Sequence, residues 1–543
     1  MCKALKSYLV RELLFGCVVA GMFAIAHAES PQLTAETLPA ARREAAARKR
    51  RVIMNNDGND SRTAPSKDRA GFLQSRSVPL AGSQVDAIFY CTGIWGTFTH
   101  KSATAELRVG SDQGYQEWAA HLADDGGPDA LGTIVDFGHR HGMKVSWSLR
   151  MNDTHDAGDP TMMSAWKKAN PECLAGKWED RGTYCGGGKR WSAVNYTHPL
   201  VRDRTVGWFG EVAENYDVDG VELDFFRHPV FFASTLHGRD ATTEECEAMS
   251  SVVRRIRAAI DAQALRRGRP VLLAIRVPDS AGYCRALGLD VEQWLKEGLV
   301  DLMTVSGYFR LNPWQVSVEL GRKYGVPVYA GLSESRFRDN EIRALRQSAA
   351  GYRGRAAEAW AAGAAGMYTF NLFNPKSPVF REIGDPVALA SMDKVMTTGA
   401  RSVSGARSWM HDGLRFLNRP YPLPERPRKL SPGRTEEVVL PVSDRLDEGK
   451  VTVTAALRIT GIEDAAALTV SVNGKTLEGG KMKDKWVEYP VAVSDLRQGD
   501  NRVTVVLDAD QKANAELLDL LLWIRYPPAP QSANQKLHID PKR

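Results

Sequence analysis

Residues 216–229 read Tyr216-Asp217-Val218-Asp219-Gly220-Val221-Glu222-Leu223-Asp224-Phe225-Phe226-Arg227-His228-Pro229. An Asp-Gly turn pair leads into an apolar run that carries acids on alternate positions. Side chains of a strand alternate between its faces, so Glu222, Asp224 and Phe226 share one face and Val221, Leu223 and Phe225 the other. A structural ion-pair network with nearby arginines would account for the acids. Burying charge in so apolar a strand is costly, however, and that favours a chemical task.

Strand patterns of this kind recur along the chain. They cover Arg51–Asp57, Val85–Thr92, Lys144–Asn152, Gly220–Phe226, Val271–Val277, Leu299–Tyr308, Val326–Glu334 and Gly366–Asn371. Helical stretches lie between them, among them Thr205–Asn215, Thr243–Arg267, Asp290–Glu297, Pro313–Tyr324 and Asp339–Ala362. Strands alternating with helices imply βαβ units and parallel pairing. Eight such units predict a (β/α)8 barrel over residues 51–400. A doubly wound open sheet is the alternative; no Gly-x-Gly-x-x-Gly fingerprint follows the first strand to support it.

The flanks read differently. Lys3, Lys6 and Arg11, the apolar run Leu13 to Ile25 and Ala26-His27-Ala28 have the form of a secretory leader over residues 1–28, which predicts a secreted or periplasmic protein with no membrane attachment after cleavage. Residues 29–50 are a basic, Ala-rich lead-in, and 401–430 hold a Pro-rich linker, Arg419-Pro420-Tyr421-Pro422-Leu423-Pro424. After it the apolar pattern has period two, in Glu436–Pro441, Lys450–Thr460, Ala466–Val472, Lys485–Val493, Asn501–Ala509 and Leu517–Tyr526. Asn473-Gly474 marks a hairpin turn between two of them. A β-sandwich over 431–527 is expected, followed by a disordered tail, 528–543.

A net charge of +6 on 543 residues is too weak to argue for nucleic-acid binding. In an oxidising compartment Cys173 and Cys185, which bracket a loop ending in Gly186-Gly187-Gly188, are expected to pair. Cys246 and Cys284 are a second candidate pair, and Cys91 lies in a strand pattern as a buried free thiol.

Barrel enzymes gather their reactive groups at the carboxyl ends of the strands. Here those ends hold Asn55 and Asp57; Trp95; Trp147, Arg150, Asn152 and Asp153; Glu222, Asp224, Arg227 and His228; Arg276; Tyr308; Glu334; and Asn371. Phosphate-cradling glycines and metal-ligand spacings are missing from these ends, so no cofactor or metal is expected. Carboxylates, arginines, asparagines and aromatic rings are suited to a carbohydrate: rings stack on sugars, and the polar groups bond hydroxyls. Two carboxylates, one protonated and one charged, are the usual equipment for cleaving a glycosidic bond. Asp224 and Glu334 are the expected pair, with Glu222 tuning Asp224 from one pleat deeper and Asp57 in reserve. Asp224→Asn is then expected to leave folding intact and abolish turnover. The rim of arginines (Arg150, Arg227, Arg276, Arg310, Arg336) is compatible with sulfated or uronic substrates.

The segment around Asp219-Gly220 and Asp224, with Asn55-Asn56-Asp57-Gly58, resembles the glycoside-hydrolase-like barrels of bacterial secreted proteins. More loosely it is similar to chitinase-type barrels, although Phe226 stands where their terminal Glu would fall. Val470–Lys475 and Leu496–Val505 are similar to jelly-roll carbohydrate-binding domains. The resemblance implies a secreted glycoside hydrolase acting on a polysaccharide or oligosaccharide. The alternatives are a non-catalytic carbohydrate-binding protein on a degenerate barrel, and a hydrolase of another bond using Asp57 and Asp224 around a metal.

Overall fold

The computed structural model describes residues 33–108, 115–333, 337, 339–398, 405–418, 427–447, 450–511 and 515–527. The expected leader, the tail, Glu334, Arg336 and the Pro-rich run 419–424 lie outside these residues.

Eight parallel strands close into a barrel: β1 Val52–Asn56, β2 Val85–Tyr90, β3 Lys144–Arg150, β4 Gly220–Asp224, β5 Leu272–Val277, β6 Leu302–Val305, β7 Val328–Leu332 and β8 Gly366–Thr369. Each pairs with its neighbours in sequence, and β1 closes the ring against β8. The strands are buried on both faces, one against helices and one against the lumen, which explains their nearly continuous apolar character. Along β4, Val221 and Leu223 face the helices while Glu222 and Asp224 face the lumen.

The last helix before β5, Thr243–Arg267, shows how locally the elements are specified. Thr242 accepts from Glu245 N–H, and the Glu245 side chain accepts from Thr242 N–H, a capping box. Gly268, left-handed at φ 68°, ends the helix after Arg266 and Arg267.

Two expected elements are shorter or divided. The sixth strand stops at Val305 because Ser306 (φ 72°) and Gly307 (φ 150°) leave the extended region. The stretch Asp339–Ala362 forms two helices, Asn340–Gln347 and Ala349–Ala361; Ser348, extended and accepting from Gly351 N–H, caps the second.

The C-terminal part is a two-sheet antiparallel sandwich. Its strands are β9 Lys394–Thr397, β10 Arg428–Leu430, β11 Thr435–Val442, β12 Thr452–Thr460, β13 Leu468–Val472, β14 Lys475–Thr476, β15 Lys481–Lys483, β16 Trp486–Val491, β17 Gly499–Leu507 and β18 Ala515–Arg525. One sheet runs β9-β18-β12-β16-β15, with β10 also on β18; the other runs β11-β17-β13-β14. Asn473 and Gly474, both left-handed, make the turn between β13 and β14.

The sandwich is not a separate bead on a linker. Its strand β9 comes from before residue 401 and pairs with β18. The helix Ala349–Ala361 presses on β9 so closely that a Cβ on Gly354 would lie 1.9 Å from Val395 O. Residues 405–418, expected as linker, instead pack on the barrel with Ala406, Trp409 and Met410 buried. Among the described residues no helix is long and apolar enough to cross a membrane.

Candidate active site at the barrel mouth

The lumen is polar in layers. In the lower layer Glu222 is fully buried; its Oε2 accepts from Ser148 Oγ (2.5 Å) and Tyr368 OH (3.0 Å), and Oε1 has no partner. Burial, and then the charge of Asp224, push its carboxyl up to about 8.

One pleat higher, strand register places Arg150, Asp224 and Arg276 side by side. Arg276 Nε and Nη2 donate to Asp224 Oδ1 and Oδ2 at 2.9 and 2.7 Å. Asp224 Oδ1 also accepts from Phe226 N–H and Arg227 N–H. Neither side chain of the pair is more than 2% exposed. Burial works to lower the Arg276 pKa, yet the Asp224 charge outweighs it and the pKa is raised. Arg276 also stacks on Phe370, 3.9 Å from the ring centroid. Asp224 is therefore a committed counter-ion, not the free acid expected of a proton donor.

The rim lies above this layer. Arg150 Nη1 donates to Asp153 Oδ2 (2.9 Å), and Asp153 Oδ1 meets His155 Nδ1 at 2.5 Å. Burial alone would raise Asp153, but the hydrogen bond to His155 and the Arg150 charge hold it well below the carboxylate range. His155 Nε2 accepts from Arg227 Nη2 (3.1 Å), and Arg227 Nη1 donates to Tyr308 OH. His228 Nδ1 accepts from Thr154 N–H (2.9 Å), and burial holds its pKa well below the usual histidine value. Asp57, 13% exposed at its side chain, pairs with Arg76; burial opposes the shift, but Arg76 and Arg150 leave its carboxyl lowered.

Backbone strain gathers at the same place. Of the five described non-glycine residues with left-handed φ, three follow the carboxyl ends of β4, β6 and β8: His228 (55°), Ser306 (72°) and Asn371 (57°).

Several expected ligands lie elsewhere. Trp147 and Trp95 are 0% and 1% exposed and pack on the helix side with Phe209 and Trp208; they are core, and neither lines the mouth. Asn152 is fully buried and bonds Val194 and Val230, stitching two loops. Asn55 sits in the lumen with Nδ2 3.5 Å from Phe89 O. Arg310 is paired with Glu358. Asn371 is half-buried at the end of β8.

The expected disulfides do not form. Cys173 and Cys185 are both free thiols. Cys173 is buried beside Glu172, whereas Cys185 Sγ faces Arg407 O and His411. Cys246 and Cys284 are also free, bonded to Arg285 O and Pro278 O. Burial raises the pKa of each of these thiols, which suits packing over reactivity.

Other residues of the mouth had little sequence signal. Arg76 arrives from the end of a helix, Arg69–Arg76, and Trp409 from the segment after the barrel; Trp409 packs on His228 and under Arg190. Asp153, His155 and His228 bring ligand atoms within 4.8 Å of one another, the one such grouping among the described residues. Thr154 N–H already occupies His228 Nδ1, and two guanidinium groups adjoin the set, so its donors fit a hydrogen-bonded triad better than a cation.

Residues 79–255, from just before β2 to the helix after β4, match the model of the family Glycosyl hydrolase-like 10. No curated protein matches the chain. Among solved structures, alpha-L-fucosidase isoenzyme 2 from Paenibacillus thiaminolyticus is similar at 17% identity and TM-score 0.40, over 65% of this chain and 52% of that one. The chain thus spans about half of the fucosidase's length. The glycoside hydrolase domain of PgaB (BpsB) from Bordetella bronchiseptica aligns at 11% identity and TM-score 0.38, over 62% of this chain and 99% of that one. The catalytic domain of chitinase B from Arthrobacter aligns at 11% and 0.38, over 63% and 96%. The matched segment contributes β2, β3 and β4 and the Arg150–Asp153–His155 group.

Proposed function

We propose that the protein is a glycoside hydrolase that cleaves O-glycosyl bonds of a polysaccharide or oligosaccharide at the barrel mouth. The observation that carries this reading is the concentration of paired carboxylates and left-handed residues at the strand ends, within and beside the family-matched segment. Asp57, 13% exposed at its side chain, is more open than Asp153 or Asp224, and it serves as the charged group. Glu334, the acid expected at the end of the seventh strand, is outside the described residues, and it is assigned the proton-donor role because glycosidic cleavage needs a second carboxyl beside the charged Asp57. Asp224 and Arg276 form a fixed charged floor, with Glu222 held protonated below them.

Incubating the full chain with a panel of neutral and acidic oligosaccharides and counting new reducing ends tests the reading. Asp57→Asn and Glu334→Gln should each abolish release while circular dichroism stays unchanged. The locked Asp224–Arg276 pair favours a second reading, a non-catalytic carbohydrate-binding barrel. Saturable glycan binding without any release would establish that reading in place of hydrolysis.

A further inference from the structure

Three acids at the mouth each have a cation of their own. Asp57 has Arg76, Asp153 has Arg150, and Asp224 has Arg276. Arg227 is left over. Its residue is 8% exposed, and its two side-chain hydrogen bonds go to groups that carry no negative charge, the Tyr308 hydroxyl and Nε2 of His155. Its Nε is buried with no partner at all. Arg276 adds a second orphan, since its Nη1 is buried and unbonded although its other nitrogens are satisfied. Both guanidinium carbons lie within 5.9 Å of the Phe370 ring centroid. A nearly buried guanidinium without counter-charge is unfavourable for the empty protein. It becomes favourable when an anion arrives, and the planar fork of arginine suits a carboxylate. His155, which accepts from Arg227, is 41% exposed at its side chain, so the cluster meets solvent on that side.

We propose that Arg227 forms the centre of a carboxylate subsite at the mouth, so that the protein takes an acidic sugar. The inference rests on the mouth being a carbohydrate site. Tyr308 and His155 orient the guanidinium, and neither supplies a negative charge. A sugar carboxylate would take the place that Asp and Glu residues fill for Arg76, Arg150, Arg276 and Arg310.

The test measures calorimetric binding to carboxylate-bearing oligosaccharides (hexuronate and sialic acid types) and to the same oligosaccharides with the carboxyl reduced to an alcohol. Sulfated oligosaccharides and their desulfated forms are the second arm. The full chain should favour at least one carboxylate form over its reduced partner by about tenfold or more, as expected for a charge-assisted pair. Arg227→Gln should collapse that ratio toward one with its thermal midpoint preserved, and Arg227→Lys should keep part of it. Equal affinities in the wild type, a ratio that survives in Arg227→Gln, or selectivity for sulfate alone would overturn the subsite while leaving a sugar-binding mouth intact. Failure of every oligosaccharide, neutral or acidic, to bind or be cleaved would overturn the carbohydrate reading itself.

Discussion

Asp224 on the fourth strand and Arg276 on the fifth stand opposite each other in register, and both carboxylate oxygens are held by the guanidinium at 2.9 and 2.7 Å. The pair is closed to solvent. Its role is to fix the floor of the mouth, because Asp224 also accepts the two amides, Phe226 and Arg227, that start the following loop.

Removing one partner leaves a buried charge. Asp224→Asn should therefore destabilise the protein by about 3–5 kcal/mol in denaturant unfolding, not leave folding intact as the strand pattern alone implies. The double variant Asp224→Leu/Arg276→Met should recover much of the loss. Additive losses in the double variant would mean that the two residues act independently.

Glu222 gives a pH signature. Its carboxyl stands at about 8 in the fold against an ordinary 4.5, so it contributes stability that is fully present below 4.5 and is lost as pH rises toward 8. Glu222→Gln cannot ionise. The stability of the variant relative to wild type should grow across that window, with a slope of up to ~1.4 kcal/mol per pH unit. Parallel stability curves for the two proteins would contradict this.

Trp147 packs between Phe98, His100 and Phe209, with its indole N–H on Thr92. Trp147→Ala should cost about 3–5 kcal/mol of stability, as for a large core truncation. Thermal unfolding checks it; a small change in midpoint accompanied by loss of sugar binding would instead assign the ring to the mouth.

The thiols of Cys91, Cys173, Cys185, Cys246 and Cys284 are free. Alkylation in denaturant without reductant, followed by peptide mass mapping, should label all five. A Cys173–Cys185 linked peptide would restore the expected crosslink.

Much of the barrel could be read from local pattern. Period-two alternation in 220–224 sends Glu222 and Asp224 to one face whatever lies opposite, and apolar runs separated by capped helices call for parallel pairing. The same parity bears on Trp147: it shares the odd positions with Val145 and Leu149, while Ser146, Ser148 and Arg150 take the lumen face. The sandwich was legible too, down to the Asn473-Gly474 turn, because turn chemistry is local.

What sequence determined by itself was the kind of fold and the face of the fourth strand that carries Glu222 and Asp224, since strand period, caps and turns act over a few residues. Only the tertiary structure decided which cation meets which acid. Asp224 and Arg276 are 52 residues apart, and closure of the ring sets their register. Arg76, Trp409 and the strand Lys394–Thr397 come from outside the strand ends, and only packing brings them to the mouth or to the sandwich. That long-range pairing is what neutralises Asp57, Asp153 and Asp224 and leaves Arg227 without a counter-charge.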